Sequence, residues 1–174
     1  MKSVRQPMVV VGVSGSSASA AALRWAADEA QRRHAALRVV RSWDTEVHAP
    51  YAAAGNRPTP AQQLAAASED LAGALRMAFG PELPAEISAE VVQGAAERVL
   101  IRQSAEADLL VLGSPAPPAL AGRPVGSVIR ACLHHAQCPV VVVGAPVRAD
   151  VAGPQPPAQT AAASPARRRE LVST

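Results

Sequence analysis

Two unbroken aliphatic runs set the limits on what this chain can fold into. Asp108-Leu109-Leu110-Val111-Leu112-Gly113-Ser114 and Pro139-Val140-Val141-Val142-Val143-Gly144 show no polar alternation, and Gly126-Ser127-Val128-Ile129-Arg130 opens a short helical pattern between them. A strand that is apolar at every position must be covered on both faces, the condition of parallel strands in α/β proteins. The helical pattern between the runs supplies the crossover. The loop from Gly113 to Gly126 then opens at the carboxyl end of a central strand, the edge where open α/β sheets bind their ligands.

The preceding chain repeats the alternation. A first buried strand, Met8 to Val13, ends in Ser14-Gly15-Ser16-Ser17-Ala18-Ser19, where Ser16 or Ser17 is placed to cap a helix over about residues 18–34. Residues 36–43 form a second strand with Leu37, Val39 and Val40 inside. Thr59 as N-cap, Pro60 as the first helical residue and Gln62 make a capping box for a helix that runs to Phe79 and stops at Gly80-Pro81. The stretch before it, 44–58, is longer than an ordinary connection and so either functional or mobile. Ile87, Ala89 and Val91 alternate with polar neighbours, the pattern of a half-exposed edge strand. A helix over 95–105 with Val99 and Leu100 inward, a strand over 108–113, a helix over 126–136 and a strand over 139–143 complete the series. Strands and helices in alternation, joined by right-handed crossovers, predict an α/β fold: a doubly wound, open, five-stranded parallel sheet with helices on both faces.

Charge and composition exclude several classes of function. Residues 1–145 carry 13 Lys and Arg against 12 Asp and Glu, so the overall charge of +3 comes mostly from the last residues and leaves no basic footprint for nucleic acid. Aromatic residues are 2% of the chain, too few for the stacking platforms of single-strand binders, and the core must be built from Val, Leu and Ala. No apolar run reaches the roughly 18 residues of a membrane span, and Met1-Lys2 leads into polar residues instead of a signal sequence, so a cytoplasmic location is expected. Cys132 and Cys138 then fit buried thiols in a reducing compartment better than a disulfide. From Ala145 the chain turns to Pro, Ala, Gln, Arg and Ser without periodicity. The expected organisation is a domain over 1–146 and a disordered tail over 147–174, with Arg167-Arg168-Arg169 a solvated run too short for a nucleic-acid arm.

The order of an aliphatic strand, Gly113-Ser114, a loop, Gly126-Ser127, a helix and His134-His135-Ala136-Gln137-Cys138-Pro139 before a valine strand resembles the universal stress protein family over roughly Met8 to Gly144. The resemblance implies a Rossmann-like, adenine-nucleotide-α-hydrolase-like sheet in the order 3-2-1-4-5. It also implies a homodimer paired along the last strand at Val140, Val141, Val142 and Val143. Members that hold ATP carry Gly, two residues, Gly, nine residues, Gly and Ser or Thr; on this chain the pattern falls on Gly113, Ala116, Gly126 and Ser127. The nucleotide-binding candidates implied are Ser14, Ser42, Gly113, Arg123, Gly126, Ser127 and Val128.

The residues themselves argue both for and against that ligand. Gly126-Ser127 at a helix start is a natural anion site, because free amides and the helix dipole both favour negative charge, and the Ser127 hydroxyl either donates to a phosphate or caps the helix. Against it, Pro115, Pro117 and Pro118 remove three amide donors from the loop, and Ala116 is strained where a glycine would take positive φ. Charge-assisted hydrogen bonds contribute roughly 1.5–3 kcal/mol each, so losing two moves a micromolar site toward millimolar unless Arg123 reaches back to a phosphate. Ser14 stands where nucleotide-holding members place an aspartate, and it offers Mg²⁺ no charge. Ser42 matches the position whose backbone reads adenine.

No catalytic constellation is present: neither Gly-x-x-x-x-Gly-Lys-Ser/Thr nor Gly-x-Gly-x-x-Gly occurs, and Lys2 is the only lysine. His134 and His135 project about 100° apart on a helix and cannot share a metal. Two functions remain open. One is a non-enzymatic, dimeric stress-response module with weak or lost ATP binding and unidentified protein partners. The other is an ATP- or AMP-binding switch, or slow ATPase, using a modified phosphate loop. A related adenine-nucleotide α-hydrolase or electron-transfer-flavoprotein-like fold fits the segment from Gly126 to Gly144 less well.

Overall fold

Each aliphatic run becomes a strand because the tertiary arrangement covers both of its faces. A computed structural model of the chain describes residues 5–44, 58–81, 84–115 and 125–145. Five strands and four helices alternate: β1 (Met8–Gly12), α1 (Ser17–Arg33), β2 (Ala36–Trp43), α2 (Pro60–Phe79), β3 (Ile87–Gln93), α3 (Ala96–Ser104), β4 (Leu109–Ser114), α4 (Ser127–His135) and β5 (Val140–Gly144). All neighbouring strands pair parallel in the order β3-β2-β1-β4-β5, the order the resemblance implied. The long stretch after β2 lies, over 45–57, outside the described residues, as does the tail from 146 onward.

Side-chain parity divides the core into two layers. Val9, Val11, Leu37, Val39, Leu109 and Val111 face α1 and α2, where Leu23, Ala26, Ala30, Leu71 and Ala74 close over them. Val10, Val40, Leu110 and Leu112 face α3 and α4, meeting Val99, Leu100, Ile129 and Cys132. The alanines of α1 let that helix approach the sheet closely, which an aromatic-poor core requires. Arg38 occupies the second face near the start of β2, beside the last turn of α3; its guanidinium donates to Gln103 at 2.8 Å and to Glu106 at 3.2 Å, and Gln103 in turn donates to Glu90 at 2.7 Å.

Local signals mark the helix ends. Ser16 caps α1 by accepting from the Ser19 amide at 3.2 Å. Thr59 and Gln62 form the reciprocal capping box of α2. His34 ends α1 in the left-handed region at φ 51°, between Arg33 and the next strand. Asp108, just before β4, accepts from the Met8 amide at 2.8 Å and so sets the register of β4 beside β1. In β3 the expected alternation holds at Ile87 and Val91, which pack against the first core layer, whereas Ala89 on this edge strand is exposed.

Candidate functional site

The carboxyl ends of β1, β2 and β4 enclose a cleft of about 140 Å³, walled by Ser14, Arg41, Ser42, Ala96, Gly113 and Val128. Three helices begin at this edge. Ser16 accepts from the Ser19 amide in the first turn of α1, whereas Ala95 before α3 and Gly126 before α4 provide no side-chain cap. The first residue of α3, Ala96, and the second of α4, Val128, line the cleft, so two helix starts without a side-chain cap adjoin it. Convergent amides and helix dipoles make this end of the sheet favourable to an anion.

Four of the residues selected from sequence, Ser14, Ser42, Gly113 and Val128, meet in the cleft wall. Gly126 and Ser127 immediately precede Val128 at the start of α4. Ser127 does not cap the helix: Gly126 occupies the N-cap position at φ −53° and Ser127 is the first helical residue. Arg123 and Ala116 lie outside the described residues, as do Pro117 and Pro118. Pro115 directly follows β4 and brings no amide to the cleft rim.

The two described glycines of the phosphate pattern differ in their surroundings. A Cβ on Gly113 would stand 2.4 Å from the Ala18 carbonyl oxygen and 2.7 Å from the Ser19 amide nitrogen, so its open side is filled by the first turn of α1. Gly126 has nothing within 4 Å of the same point, leaving its backbone open to approach. Gly113 is therefore a packing glycine, and Gly126 is the one whose backbone stays open. Where the turn after β1 begins, the Ser14 and Ser16 hydroxyls share a hydrogen bond at 3.1 Å. Gly15 takes φ 76°, a conformation for which glycine is the low-cost residue.

Arg41 is the charged residue of the cleft wall that sequence reasoning did not single out. It shares the parity of Leu37 and Val39 on β2, a charged side chain at the ligand end of an otherwise apolar face, and that was the available signal. Its guanidinium donates to the Ser42 carbonyl at 3.1 Å and to Asp70 of α2 at 2.8 Å. The Ser42 carbonyl, the group the resemblance assigned to adenine, thus already has a donor.

The cysteines lie away from this edge. Cys132, on the inner face of α4, is fully buried against the layer that holds α3, and burial first, then the charge of Glu97, raises its thiol from 9.0 to about 11. Cys138 is also pushed up, by burial and then by Asp108. Among the described residues no group of three or more His, Cys, Asp and Glu is placed to hold a metal ion, and no helix is long and apolar enough to cross a membrane. A hollow of about 430 Å³ at the amino ends of β2 and β3 is larger than the cleft, but its polar rim of Gln6, Gln31, His34 and Glu86 is solvated and lies at the opposite end of the sheet.

Known proteins place this geometry in context. A universal stress protein of Mycobacterium tuberculosis is 33% identical over 142 residues, covering 82% of this chain and 50% of that protein. The chain spans about half the length of the curated relatives it matches. UspA of Lactobacillus plantarum superposes with a TM-score of 0.57 at 24% identity over 80% of this chain and 99% of that one. A universal stress protein solved in complex with cAMP superposes at 0.51 with 27% identity over 80% and 98%. The family model described as universal stress protein family matches residues 8–144, from the first residue of β1 to the last of β5. With its sheet order, its glycine-led α4 and its cleft at the carboxyl edge accounted for, the chain belongs to the universal stress protein family.

Proposed function

We propose that the protein is a cytoplasmic, non-enzymatic stress-response module that acts as a homodimer, and that its cleft takes ATP weakly. The observation that carries the reading is the make-up of the cleft. Its described wall holds hydroxyls, backbone and apolar side chains around a single cation, Arg41, which is already paired with Asp70. Such a wall offers no general base beside a nucleophile and no carboxylate for the metal of a triphosphate. At about 140 Å³ it is also well below the 300 Å³ or more of a typical small-molecule pocket. Gly126 supports residual anion binding, since its open backbone and the uncapped start of α4 remain available.

Titration calorimetry of Mg²⁺-ATP against the full chain is expected to give a dissociation constant in the millimolar range, in keeping with about 3–6 kcal/mol of lost phosphate contacts. A constant below about 10 μM would overturn the reading. It would instead favour the alternative of a nucleotide switch or slow ATPase, which the relative solved with cAMP favours in part.

The dimer is proposed to form along β5. This strand pairs only with β4, and all five of its residues are half-buried, leaving one apolar edge of the sheet unpaired among the described residues. Natural sheets rarely leave such an edge exposed. Val142→Lys is expected to convert a dimer to monomer in sedimentation velocity while far-ultraviolet circular dichroism stays native. A dimer that persists in the folded variant would move the interface elsewhere.

A further inference from the structure

The hollow of about 430 Å³ at the amino edge of the sheet falls within the size range of small-molecule pockets, which the carboxyl-edge cleft does not. Its floor belongs to the first core layer: Ala30, Ala35 and Leu37 are buried, and Ile87 and Phe79, the only phenylalanine of the chain, are partly buried beside them. Gln6, Gln31, His34 and Glu86 ring this floor, and none of the four side chains bonds to another described residue. The backbone beside two of them is nonetheless fixed, since the Pro7 carbonyl accepts from the Ala36 amide at 2.9 Å and the Glu86 carbonyl from the Leu37 amide at 3.0 Å. His34, at φ 51°, is the only described non-glycine residue at positive φ, in a turn that glycine would make at lower cost. The imidazole at the rim is therefore not something the turn itself requires.

The electrostatics of the hollow favour a cation. Helices α1 and α2 both end here, at His34 and Phe79, so the negative ends of two helix dipoles lie at its wall. Glu86 is the one carboxylate of the described lining, which holds no Lys or Arg. Arg32 and Arg33, in the last turn of α1, are both bound to Glu29 and do not line the hollow. The amide oxygens of Gln6 and Gln31 add acceptors at the rim, and an aromatic ring in the floor suits a cation better than an anion.

We propose that this hollow is a binding site for a small organic amine, whose ammonium meets Glu86 and the amide oxygens of the rim while its hydrocarbon body lies on the floor of Ala30, Leu37 and Phe79. The exposed rim lets the ammonium keep part of its water as the body is buried, the arrangement that amphipathic groups adopt at protein surfaces. The site goes beyond the nucleotide reading, because it uses the opposite edge of the sheet and shares no described residue with the cleft.

The test is a titration of the full chain, followed in amide proton–nitrogen correlation spectra at neutral pH and low ionic strength, with three probes that share one body: 2-phenylethylammonium, 2-phenylethanol and phenylacetate. The ammonium is expected to shift the amides of Ala30, Ala35 and Ile87 saturably, with a dissociation constant of about 1 mM or below. It should bind about threefold tighter than the alcohol and about tenfold tighter than the carboxylate, the scale of an exposed charge pair. Glu86→Gln alters an exposed side chain and keeps the backbone contact to Leu37. It should bring the ammonium to within about 1.5-fold of the alcohol and leave the alcohol unchanged, and about 0.5 M salt should do the same to the unsubstituted protein. An alcohol or carboxylate that binds as tightly as the ammonium makes the hollow an unselective apolar surface, and an ammonium indifferent to Glu86→Gln has no head-group contact there; either result overturns the assignment. Shifts confined to Gly113 and Val128 overturn it too, by placing the amine at the other edge. So does the absence of any shift up to about 20 mM, which means that the chain's own residues fill the hollow. None of these outcomes bears on the nucleotide reading, which the ATP titration decides separately.

Discussion

Replacing Gly113 by alanine is expected to lower the melting temperature by about 10 °C or more, equivalent to about 3 kcal/mol, whatever it does to ligand binding. The added methyl would be placed 2.4 Å from the Ala18 carbonyl oxygen, 2.5 Å from its carbon and 2.7 Å from the Ser19 nitrogen. Those are backbone atoms of the first turn of α1, held by the Ser16 cap and by the packing of Ala22, Leu23 and Ala26 on the sheet, so no side chain can rotate out of the way. Relief requires α1 to move off β4 as a body, at a cost beyond ordinary overpacking. Gly126→Ala is the matched control. It introduces a methyl into open space at φ −53° and loses only the modest preference for glycine over alanine at an N-cap, about 1 kcal/mol or less. Thermal unfolding of the two variants side by side checks the claim; equal small shifts would mean that α1 does not approach β4 as described.

The second large effect concerns Cys132. With its thiol raised to about 11 and its side chain without solvent exposure, its thiolate fraction at pH 8 is about 100-fold below that of a thiol at 9.0. Alkylation by iodoacetamide in the native protein should be slower than for free cysteine by at least that factor, and should recover in urea. The same shift makes stability depend on pH in the alkaline range. Below about pH 9 the thiol is protonated in both states and contributes no slope. Between about 9 and 11 the unfolded chain releases the proton that the folded chain retains, so stability falls by up to roughly 2–3 kcal/mol as pH rises through that window. Cys138, raised in the same direction, adds to the loss. Urea midpoints at pH 8 and pH 10.5 read this directly. Cys132→Ala should be less stable at pH 8, having lost a buried side chain, yet should show the smaller decline between the two. An equal decline would assign the alkaline loss to other groups.

Some functional features were legible locally. The capping box at Thr59 and Gln62 and the cap at Ser16 involve groups within three residues of one another, so spacing alone locates the helix starts. Ser14, Ser42, Gly113 and Val128 were singled out by the family resemblance, and they meet at one cleft because parallel strands joined by crossovers bring all their carboxyl ends to the same edge. That topology places backbone positions and does not tell what each residue does there. Gly113 and Gly126 occupy equivalent-looking slots of one pattern, yet one is closed by α1 and the other is open.

What the sequence determined by itself is the fold and the edge at which a ligand would enter. Both follow from hydrophobic periodicity, which is repeated along the chain and dictates which faces must be covered. Tertiary structure alone decided the chemistry of that edge. The Arg41–Asp70 pair joins residues 29 apart through the docking of α2, and the Gly113 contact depends on how closely an alanine-rich α1 settles on β4. The Cys132 thiol owes its shift to the burial of the inner face of α4 and to Glu97. Each depends on distances between elements that no local pattern encodes, because the same periodicity is satisfied by helices shifted or rotated by an ångström or two, while ion pairs and backbone contacts are not.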